Sequence, residues 1–301
     1  MGKLYGWAEK LGLRKYLKNI VQEESLLQQL TYDALHLQGQ GTRAVVSSEQ
    51  ELIVTLTSFG DRVYDVYLTI ESLLQQSLPP NRIILWLNAP WDINTIPRLL
   101  QKQMKRGLEV HIVPDYKSYD KLVHALKAYP EAVLITVDDD VIYPFDFIEH
   151  LALAHQKDPE AVLFYRGHQM VVDSAGEIAP YLQWKGEAAT TEDSILNFPT
   201  GCGGILYPPH SLHPDATNAS LFQKLAPTAD DIWFRAMSLV QGTHCRRVAY
   251  PQHAYQRGML LTTHQQDALF QHNTQGDGND KQVEAVFSHY DLFKRYKKEA
   301  E

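Results

Sequence analysis

The stretch that decides the fold runs from Ala132 to Pro144 and reads Ala-Val-Leu-Ile-Thr-Val-Asp-Asp-Asp-Val-Ile-Tyr-Pro. Its nearly continuous apolar run is typical of a strand buried on both faces, as in the parallel sheet of an α/β protein. The run leads directly into three carboxylates, Asp138, Asp139 and Asp140. Adjacent carboxylates repel one another and are costly to bury without partners, so we expect a cation to face them. The alternative is a solvated strand end with three surface acids.

Segments typical of strands and helices alternate along the chain before this stretch. The predicted strands are 52–57, 82–87 and 108–113, and the predicted helices are 63–76, 96–106 and 119–128. This alternation indicates parallel β-α units with right-handed crossovers. We therefore predict an α/β fold with a Rossmann-like, doubly wound and mostly parallel sheet, which binds ligands at the carboxyl ends of its strands.

The flanking parts of the chain are less regular. We predict a helical N-terminal extension over residues 1–50, with a helix over 22–37 that ends at the Gln-Gly-Gln-Gly stretch 38–41. After the acids we expect a helix over 144–156, a helix within 225–241 that starts at the Ala-Asp-Asp-Ile-Trp-Phe stretch, and a helix over 281–297, together with strands over 161–165 and 205–207 and a glycine-rich turn over 200–204. The last of these helices would close the domain that begins at residue 51.

Composition excludes several classes of protein. The chain has 301 residues and a net charge of −8, so it lacks the overall basic field typical of nucleic-acid binding. Its two cysteines, Cys202 and Cys245, are too few for a disulfide framework or a zinc site and are consistent with a reducing cytoplasm. We find no secretory signal and no apolar stretch of membrane-spanning length. Residues 1–20 are basic and amphipathic, which is typical either of contact with an anionic membrane surface or of a helical hairpin packed on the main domain.

The acid triplet indicates a hard cation. Carboxylate oxygens suit Mg²⁺ or Mn²⁺ rather than zinc. Because alternate residues of a strand share a face, Asp138 and Asp140 are expected to point to one site and Asp139 elsewhere. A cation there would bridge phosphate oxygens and neutralise a departing diphosphate. The P-loop, dinucleotide-binding and Gly-x-Ser-x-Gly motifs are absent, and Val141 and Ile142 replace the hydroxyl residue expected after an aspartyl nucleophile.

Several segments, taken in chain order, resemble one known family. They are Thr55–Phe59, Thr69–Ser77, Arg82–Leu87, Asp115 with Lys117 and Lys121, Asp138–Asp140, Thr200–Gly204 and Ala229–Asp231. In this order they are similar to GT-A fold glycosyltransferases of the family 2-like type that builds bacterial surface polysaccharides. The resemblance implies a nucleotide-sugar half over 51–143, and an acceptor half with a closing helix over 144–301.

The resemblance also implies an activity. It predicts a metal-dependent, hexosyltransferase-type enzyme that moves a sugar from a nucleotide-sugar donor, a UDP-sugar being favoured, to a glycan or lipid-linked glycan with inversion. Such an enzyme would act in polysaccharide or lipopolysaccharide biosynthesis, in the cytoplasm or peripherally at the inner membrane face. Two alternatives stay open, a sugar-nucleotide nucleotidyltransferase and a non-catalytic glycan-binding protein on the same fold. The loop Ser58-Phe59-Gly60-Asp61-Arg62 is poor in glycine for the former, and the two acid clusters argue against the latter.

Roles follow from the resemblance residue by residue. The implied donor-binding residues are Thr57, Ser58, Phe59, Arg62, Asp115, Lys117, Lys121, Asp138 and Asp139. The implied ligands of Mn²⁺ or Mg²⁺ are Asp138, Asp140 and His253, and the implied acceptor-binding residues are Gly201, Gly203, Gly204 and Trp233. Asp231 is the implied catalytic base, with Asp230 as the other candidate.

Several of these residues have structural alternatives. Lys117 and Lys121 are equally consistent with solvated charges at the start of a helix. One member of the pair Asp230 and Asp231 could cap the following helix, since Asp is a favoured N-cap residue. Trp233 is also consistent with a place in the core.

Overall fold

The central sheet takes its strands from both halves of the chain. The computed structural model describes residues 21–46, 50–249, 259–261 and 278–299. The strands are β1 (Leu52–Thr57), β2 (Arg82–Leu87), β3 (Leu108–Ile112), β4 (Val133–Thr136), β5 (Val141–Ile142), β6 (Val162–Phe164), β7 (Gly167–Gln169), β8 (Asn197–Pro199), β9 (Ile205–Tyr207), β10 (Cys245–Arg247) and β11 (Met259–Leu260).

Seven of these strands form one sheet in the order β10-β6-β9-β4-β1-β2-β3. The four strands from β4 to β3 are parallel, whereas β9 runs antiparallel to both of its neighbours. Two antiparallel pairs, β5 with β11 and β7 with β8, lie outside this sheet. Because Thr55 of β1 pairs with Thr136 of β4, the carboxyl ends of these two strands lie side by side. The mostly parallel sheet is the one that the sequence predicts.

Helices flank the sheet. They are α1 (21–36), α2 (Val66–Leu74), α3 (Arg98–Met104), α4 (Asp120–Ala128), α5 (Phe147–Lys157), α6 (Ala219–Leu225), α7 (Asp230–Gln241), α8 (Gly278–His289) and α9 (Phe293–Glu299). The helix predicted within 225–241 is α7, and Pro227 separates it from α6, because proline has no N–H group and clashes with a preceding turn. The helix predicted over 281–297 is divided in the structure, since Asp291 has a φ of 56° and separates α8 from α9.

Apolar layers cover both faces of the sheet. Ile53 and Val54 are adjacent on β1, are fully buried, and belong to the layers on opposite faces. Leu134 and Ile135 divide in the same way on β4. Full burial of one such side chain stabilises the fold by about 1.5–3 kcal/mol. This confirms the prediction that the apolar run before the acids is a strand buried on both faces.

The described part of the N-terminal extension is docked on the main domain. One small apolar cluster joins α1, α2, β5 and the residue after β11, and its members are Leu30, Leu68, Ile142 and Leu261. A buried ion pair lies nearby, in which Arg106 Nη1 is 2.8 Å from Glu71 Oε2. Arg106 Nε also donates to the Gly39 carbonyl at 3.1 Å, which ties the chain after α1 to the turn that follows α3. Within the described residues, no helix combines the length and the hydropathy needed to cross a membrane.

Candidate active site

An acidic cleft lies where β1, β4 and the start of α7 meet. The three acids Asp138, Asp139 and Asp140 form a turn between β4 and β5 rather than a continuation of the strand. Their directions are therefore set by the turn and its contacts, so the predicted strand alternation from Asp138 to Asp140 does not apply. Each of the three has a cationic or hydroxyl partner in the chain. The expectation that cationic groups offset the triplet is met by two side chains, Arg62 and Lys121.

Asp139 anchors the loop after β1. Ser58 Oγ donates to Asp139 Oδ2 at 2.6 Å, and Arg62 Nε donates to the two oxygens of the same carboxylate at 3.1 and 3.0 Å. The Thr69 hydroxyl donates to the backbone carbonyl of Asp139 at 2.9 Å. The Asp139 side chain is only 7% exposed. The Asp139 carboxylate therefore holds Ser58 and Arg62 in place, and its donor-binding role stays a prediction.

Asp140 shares the guanidinium of Arg62. Arg62 Nη2 lies 2.9 Å from Asp140 Oδ2 and also contacts Asp139. Burial and the charge of Asp138 raise the pKa of Asp140, and Arg62 partly offsets that increase. Burial alone would lower the pKa of Arg62, but its hydrogen bond and charge interaction with Asp139 outweigh burial and raise it. Arg62 is thus a permanent cation beside the triplet.

Lys121, on the first turn of α4, joins the two acid clusters. Its Nζ lies 3.0 Å from Asp138 Oδ1 and 3.0 Å from Asp230 Oδ2. Burial acts to lower the pKa of Lys121, but the charges of Asp138 and Asp230 outweigh it and hold the pKa well above the ordinary value. The interpretation of Lys121 as a solvated charge is therefore wrong.

Lys117 differs from Lys121. It is exposed, and its backbone N–H donates to Asp115 Oδ1 at 2.8 Å in a local turn. Asp115 and the Lys117 backbone thus form a local turn after β3. For Lys117 the solvated-charge interpretation agrees with its exposure.

Asp231 has the properties of a general base. The Gly201 N–H donates to its two carboxylate oxygens at 3.1 and 3.3 Å. Burial and the charge of Asp230 raise the pKa of Asp231 to about 7, although Lys121 acts to lower it. A carboxylate with a pKa near neutrality both accepts and releases a proton readily at physiological pH. The helix caps at Ala229 without a side-chain hydrogen bond, so neither aspartate is used as the N-cap.

The three glycines predicted to contact the acceptor have different reasons to be glycine. A Cβ at Gly201 would lie 2.6 Å from Lys121 Nζ and 3.4 Å from oxygens of Asp138 and Asp231, so Gly201 borders the cleft. A Cβ at Gly203 would lie 2.8 Å from the backbone nitrogen of Arg166. A Cβ at Gly204, whose φ is 83°, would lie 2.4 Å from the ring of Phe147. Gly203 and Gly204 are therefore needed for packing, and of the three only Gly201 has cleft groups as its neighbours.

The remaining predicted residues divide between cleft and core. Trp233 is fully buried and its Nε1 donates to the Ala216 carbonyl at 3.2 Å, so the predicted acceptor contact is wrong and the core alternative holds. Phe59 is 44% exposed and stacks under Arg62 at 5.5 Å, while Thr57 Oγ1 donates to the Trp86 carbonyl at 2.9 Å. His253 lies outside the described residues.

Three residues around the cleft escaped the sequence analysis. The Tyr143 hydroxyl accepts from the Asp138 N–H at 2.9 Å, which fixes the backbone of the acid turn. Arg166 Nη1 donates to Thr200 Oγ1 at 2.8 Å, beside the glycine turn. Burial, and after it the charge of Asp231, raise the pKa of Tyr181. Arg166 and Tyr181 lie between β6 and β8, in a part of the sequence where no periodic pattern marks single residues.

The predicted divalent cation can be tested against the donor set. Asp138 and Asp140 keep side-chain exposures of 28% and 20%, so their oxygens remain accessible from the cleft. Groups of three potential protein ligands are not found among the described residues. Mg²⁺ is commonly bound by one or two carboxylates together with substrate phosphate oxygens. The two accessible acids fit a cation of that kind.

The fold and the cleft together define an α/β protein with an acidic site at the carboxyl ends of a mostly parallel sheet, so the predicted α/β class with a mostly parallel sheet is confirmed. No family model matches the sequence, and no curated protein matches it.

Solved structures match the chain at low identity. S. aureus TarS 1-349 is similar over 67% of this chain and 59% of that chain, with 14% identity and a TM-score of 0.45. The complex of TarS 1-349 with UDP gives 12% identity over the same shares and a TM-score of 0.44. A CMP:2-keto-3-deoxy-manno-octonic acid synthetase complexed with CTP covers 66% of this chain and 89% of its own, with 13% identity and a TM-score of 0.38. The chain thus spans about three fifths of the TarS 1-349 structure.

Proposed function

We propose that this protein transfers a sugar, with inversion, from a nucleotide-sugar donor to a hydroxyl group of a glycan or lipid-linked glycan. The observation that carries the proposal is the position of Asp231, a carboxylate with a pKa of about 7, in one cleft with the acid triplet. An inverting transfer needs a base that takes the proton of the acceptor hydroxyl as that oxygen attacks the anomeric carbon. Asp231 would be that base.

In the proposed reaction, the leaving diphosphate would lie beside the acid triplet, across the cleft from Asp231. A departing diphosphate gains negative charge, and preorganised positive groups stabilise it. Arg62 and Lys121 are already held beside the triplet by Asp139 and Asp138, so they need no reorganisation to act. Asp138 and Asp140 would hold a Mg²⁺ or Mn²⁺ ion together with phosphate oxygens, and the ion when bound supplies further positive charge to the leaving group.

The charge balance supports a cation in addition to the two basic side chains. Among the described residues at the cleft, five carboxylates lie around Arg62 and Lys121, namely Asp138, Asp139, Asp140, Asp230 and Asp231. A donor diphosphate would add more negative charge. Because like charges in a partly buried site repel strongly, a divalent cation would favour donor binding.

The acceptor would approach from the side of Gly201 and Asp231. We take Gly201 as the position where an acceptor sugar comes close to backbone, since a side chain there would collide with Lys121. Because residues 1–20 are basic and amphipathic in sequence, we extend the proposal to a lipid-linked acceptor at an anionic inner membrane face.

A panel of nucleotide sugars tests the proposal, with donor hydrolysis and product mass as readouts. Turnover of one nucleotide sugar to free nucleoside diphosphate supports it. Consumption of a nucleoside triphosphate with a sugar phosphate would instead establish a nucleotidyltransferase. No turnover of any nucleotide sugar in the panel, together with tight glycan binding, would indicate a binding protein.

Isothermal titration with UDP tests the proposed cation separately. We expect Mn²⁺ to strengthen UDP binding, and we expect Asp140→Ala to remove most of that increase. Glu160→Gln is the matched control, because Glu160 is an exposed acid outside the cleft. Equal UDP binding with and without Mn²⁺ would refute the role of the cation and leave the transfer reaction to the panel.

A further inference from the structure

A small cavity borders Asp231 on the inside of the protein. Its volume is about 10 Å³, and its walls include Asp231, Arg235 and Ser238 of α7 and Tyr207 of β9. A cavity of about this size holds one water molecule, provided that the walls offer two to four polar partners. No step of the reaction proposed above uses this cavity.

Arg235 is the unusual member of these walls. It lies one helical turn after Asp231 and is only 4% exposed. Its Nη1 donates to Ser238 Oγ at 3.1 Å, and its Nη2 donates to the Ile195 carbonyl at 2.9 Å. Its Nε, in contrast, is buried and has no hydrogen-bond partner within the described part of the chain. An unpaired buried donor costs about 1–3 kcal/mol, so its presence calls for a partner that the protein atoms do not supply.

The geometry points to one buried water that connects Arg235 Nε with the carboxylate of Asp231 and makes Arg235 a positioning residue for the base. The water accepts from the Arg235 Nε–H and donates one hydrogen to Asp231. Its second hydrogen goes to Ser238 Oγ, whose own hydrogen is already donated to the Arg235 carbonyl at 2.8 Å. Three hydrogen bonds of this kind are typical of buried water.

The consequence for Asp231 is electrostatic as well as geometric. The charged and titratable groups that face it are acidic, basic, phenolic and thiol groups from several elements. They are Asp230 on its own helix, Lys121 on α4, Asp138 after β4, the phenols of Tyr119, Tyr181 and Tyr207, and the thiol of Cys202 in the glycine-rich turn. Two of these groups are acids that favour the protonated carboxyl. Arg235, a buried cation one turn away, favours the ionised carboxylate that can act as a base. This inference rests on the proposed function only in taking Asp231 as the base.

Two substitutions test the role of Arg235 in the pH dependence of transfer. In Arg235→Met, the acid-side limb of the pH–rate profile shifts to higher pH by about one unit, because the carboxylate loses a nearby positive charge. Arg235→Lys keeps the charge and keeps the limb close to that of the wild type. Arg106→Met is the matched control, since Arg106 is equally buried but pairs with Glu71. It loses stability without moving the limb.

A wild-type crystal structure at high resolution provides a readout without activity. A water within hydrogen-bond distance of Arg235 Nε and Asp231 supports the inference, and a dry cavity overturns it. An unmoved limb in a folded Arg235→Met also overturns it, and so does an Arg235→Lys limb that moves as far as that of Arg235→Met. If Arg235→Met does not fold, the lysine variant and the crystal structure decide. Failure of the proposed function would appear differently, as normal transfer by Asp231→Asn with the water still in place.

Discussion

The ammonium of Lys121 lies 3.0 Å from Oδ2 of Asp230, and this contact joins two acid clusters that are distant in the sequence. The same nitrogen lies 3.0 Å from Oδ1 of Asp138. Because the Lys121 side chain is only 10% exposed, water screens these interactions weakly. A single ammonium group, that of Lys121, therefore compensates the charge both of the acids after β4 and of the acids at the start of α7.

Lys121→Met is expected to weaken both the fold and the binding of UDP. Removing one partner of a buried ion pair costs about 3–5 kcal/mol, since the remaining charges are left uncompensated. Urea denaturation and UDP titration measure the two effects. Lys127→Met is the control, because Lys127 is exposed on the same helix. Equal stability of the two variants would contradict the joining role of Lys121.

Asp231→Asn is expected to retain donor binding and to lose transfer by roughly 10²–10⁴-fold, the usual contribution of a positioned general base. Donor affinity is measured by titration and transfer by product mass. Asp230→Asn is the companion variant, since Asp230 pairs with Lys121 and the pKa of about 7 belongs to Asp231. Normal transfer by Asp231→Asn would assign the base elsewhere, with Asp230 next to be tested.

The pKa of Asp231 also predicts how stability depends on pH. The folded state keeps the proton of this carboxyl up to about pH 7, whereas the ordinary value is 3.8. The unfolded state thus binds fewer protons between these values, and the free energy of unfolding decreases as pH rises through this window. The effect is at most about 4 kcal/mol, and solvent screening reduces it.

Asp231→Asn lacks this titration. Its advantage in stability over the wild type should therefore be larger at pH 8 than at pH 4, as measured by urea denaturation at both values. Parallel stability curves for the two proteins would show that the pKa of Asp231 is not raised by folding.

Gly201→Ala and Gly203→Ala should separate function from folding. The Cβ at position 201 would meet the mobile end of Lys121 at 2.6 Å, so the ammonium moves and transfer decreases while the fold persists. The Cβ at position 203 would meet the Arg166 backbone nitrogen at 2.8 Å, which cannot move alone. We expect that variant to lose about 1–3 kcal/mol of stability. Thermal melts and donor hydrolysis distinguish the two effects. A Gly201→Ala variant that keeps its activity but loses stability would contradict the expected separation of function from folding.

Asp139→Asn should act through the loop after β1. Its carboxylate holds Ser58 and Arg62, so the amide leaves a buried guanidinium without its main partner and lowers stability by about 3 kcal/mol. Asp140→Asn is the comparison, since Asp140 is more exposed and Arg62 keeps Asp139. That variant should lose cation-linked UDP binding and little stability. If Asp140→Asn were less stable than Asp139→Asn, the proposed roles of the two acids would have to be exchanged.

Local patterns in the sequence were sufficient to predict most secondary-structure elements and the mostly parallel sheet. The apolar run before the acids, the alternating units and the glycine-rich turn each depend on neighbours in the chain, and β1, β2 and β4 are found where they were expected. The same patterns predicted a single helix over 281–297, where the structure has α8 and α9 with Asp291 between them. Trp233 was ambiguous from sequence, because an aromatic residue near a site and one in the core carry the same local pattern.

The sequence by itself determined that three carboxylates follow a doubly buried strand and that something cationic must offset them. Only the tertiary structure decided which groups do so, how the acids divide their tasks, and where Asp231 meets them. Arg62 and Lys121 come from other elements, and Asp139 serves the loop after β1 because a turn, not a strand, directs its side chain. The physical reason is that secondary structure follows from contacts close in the chain, whereas charge compensation depends on distances that are set only when the sheet and helices pack together.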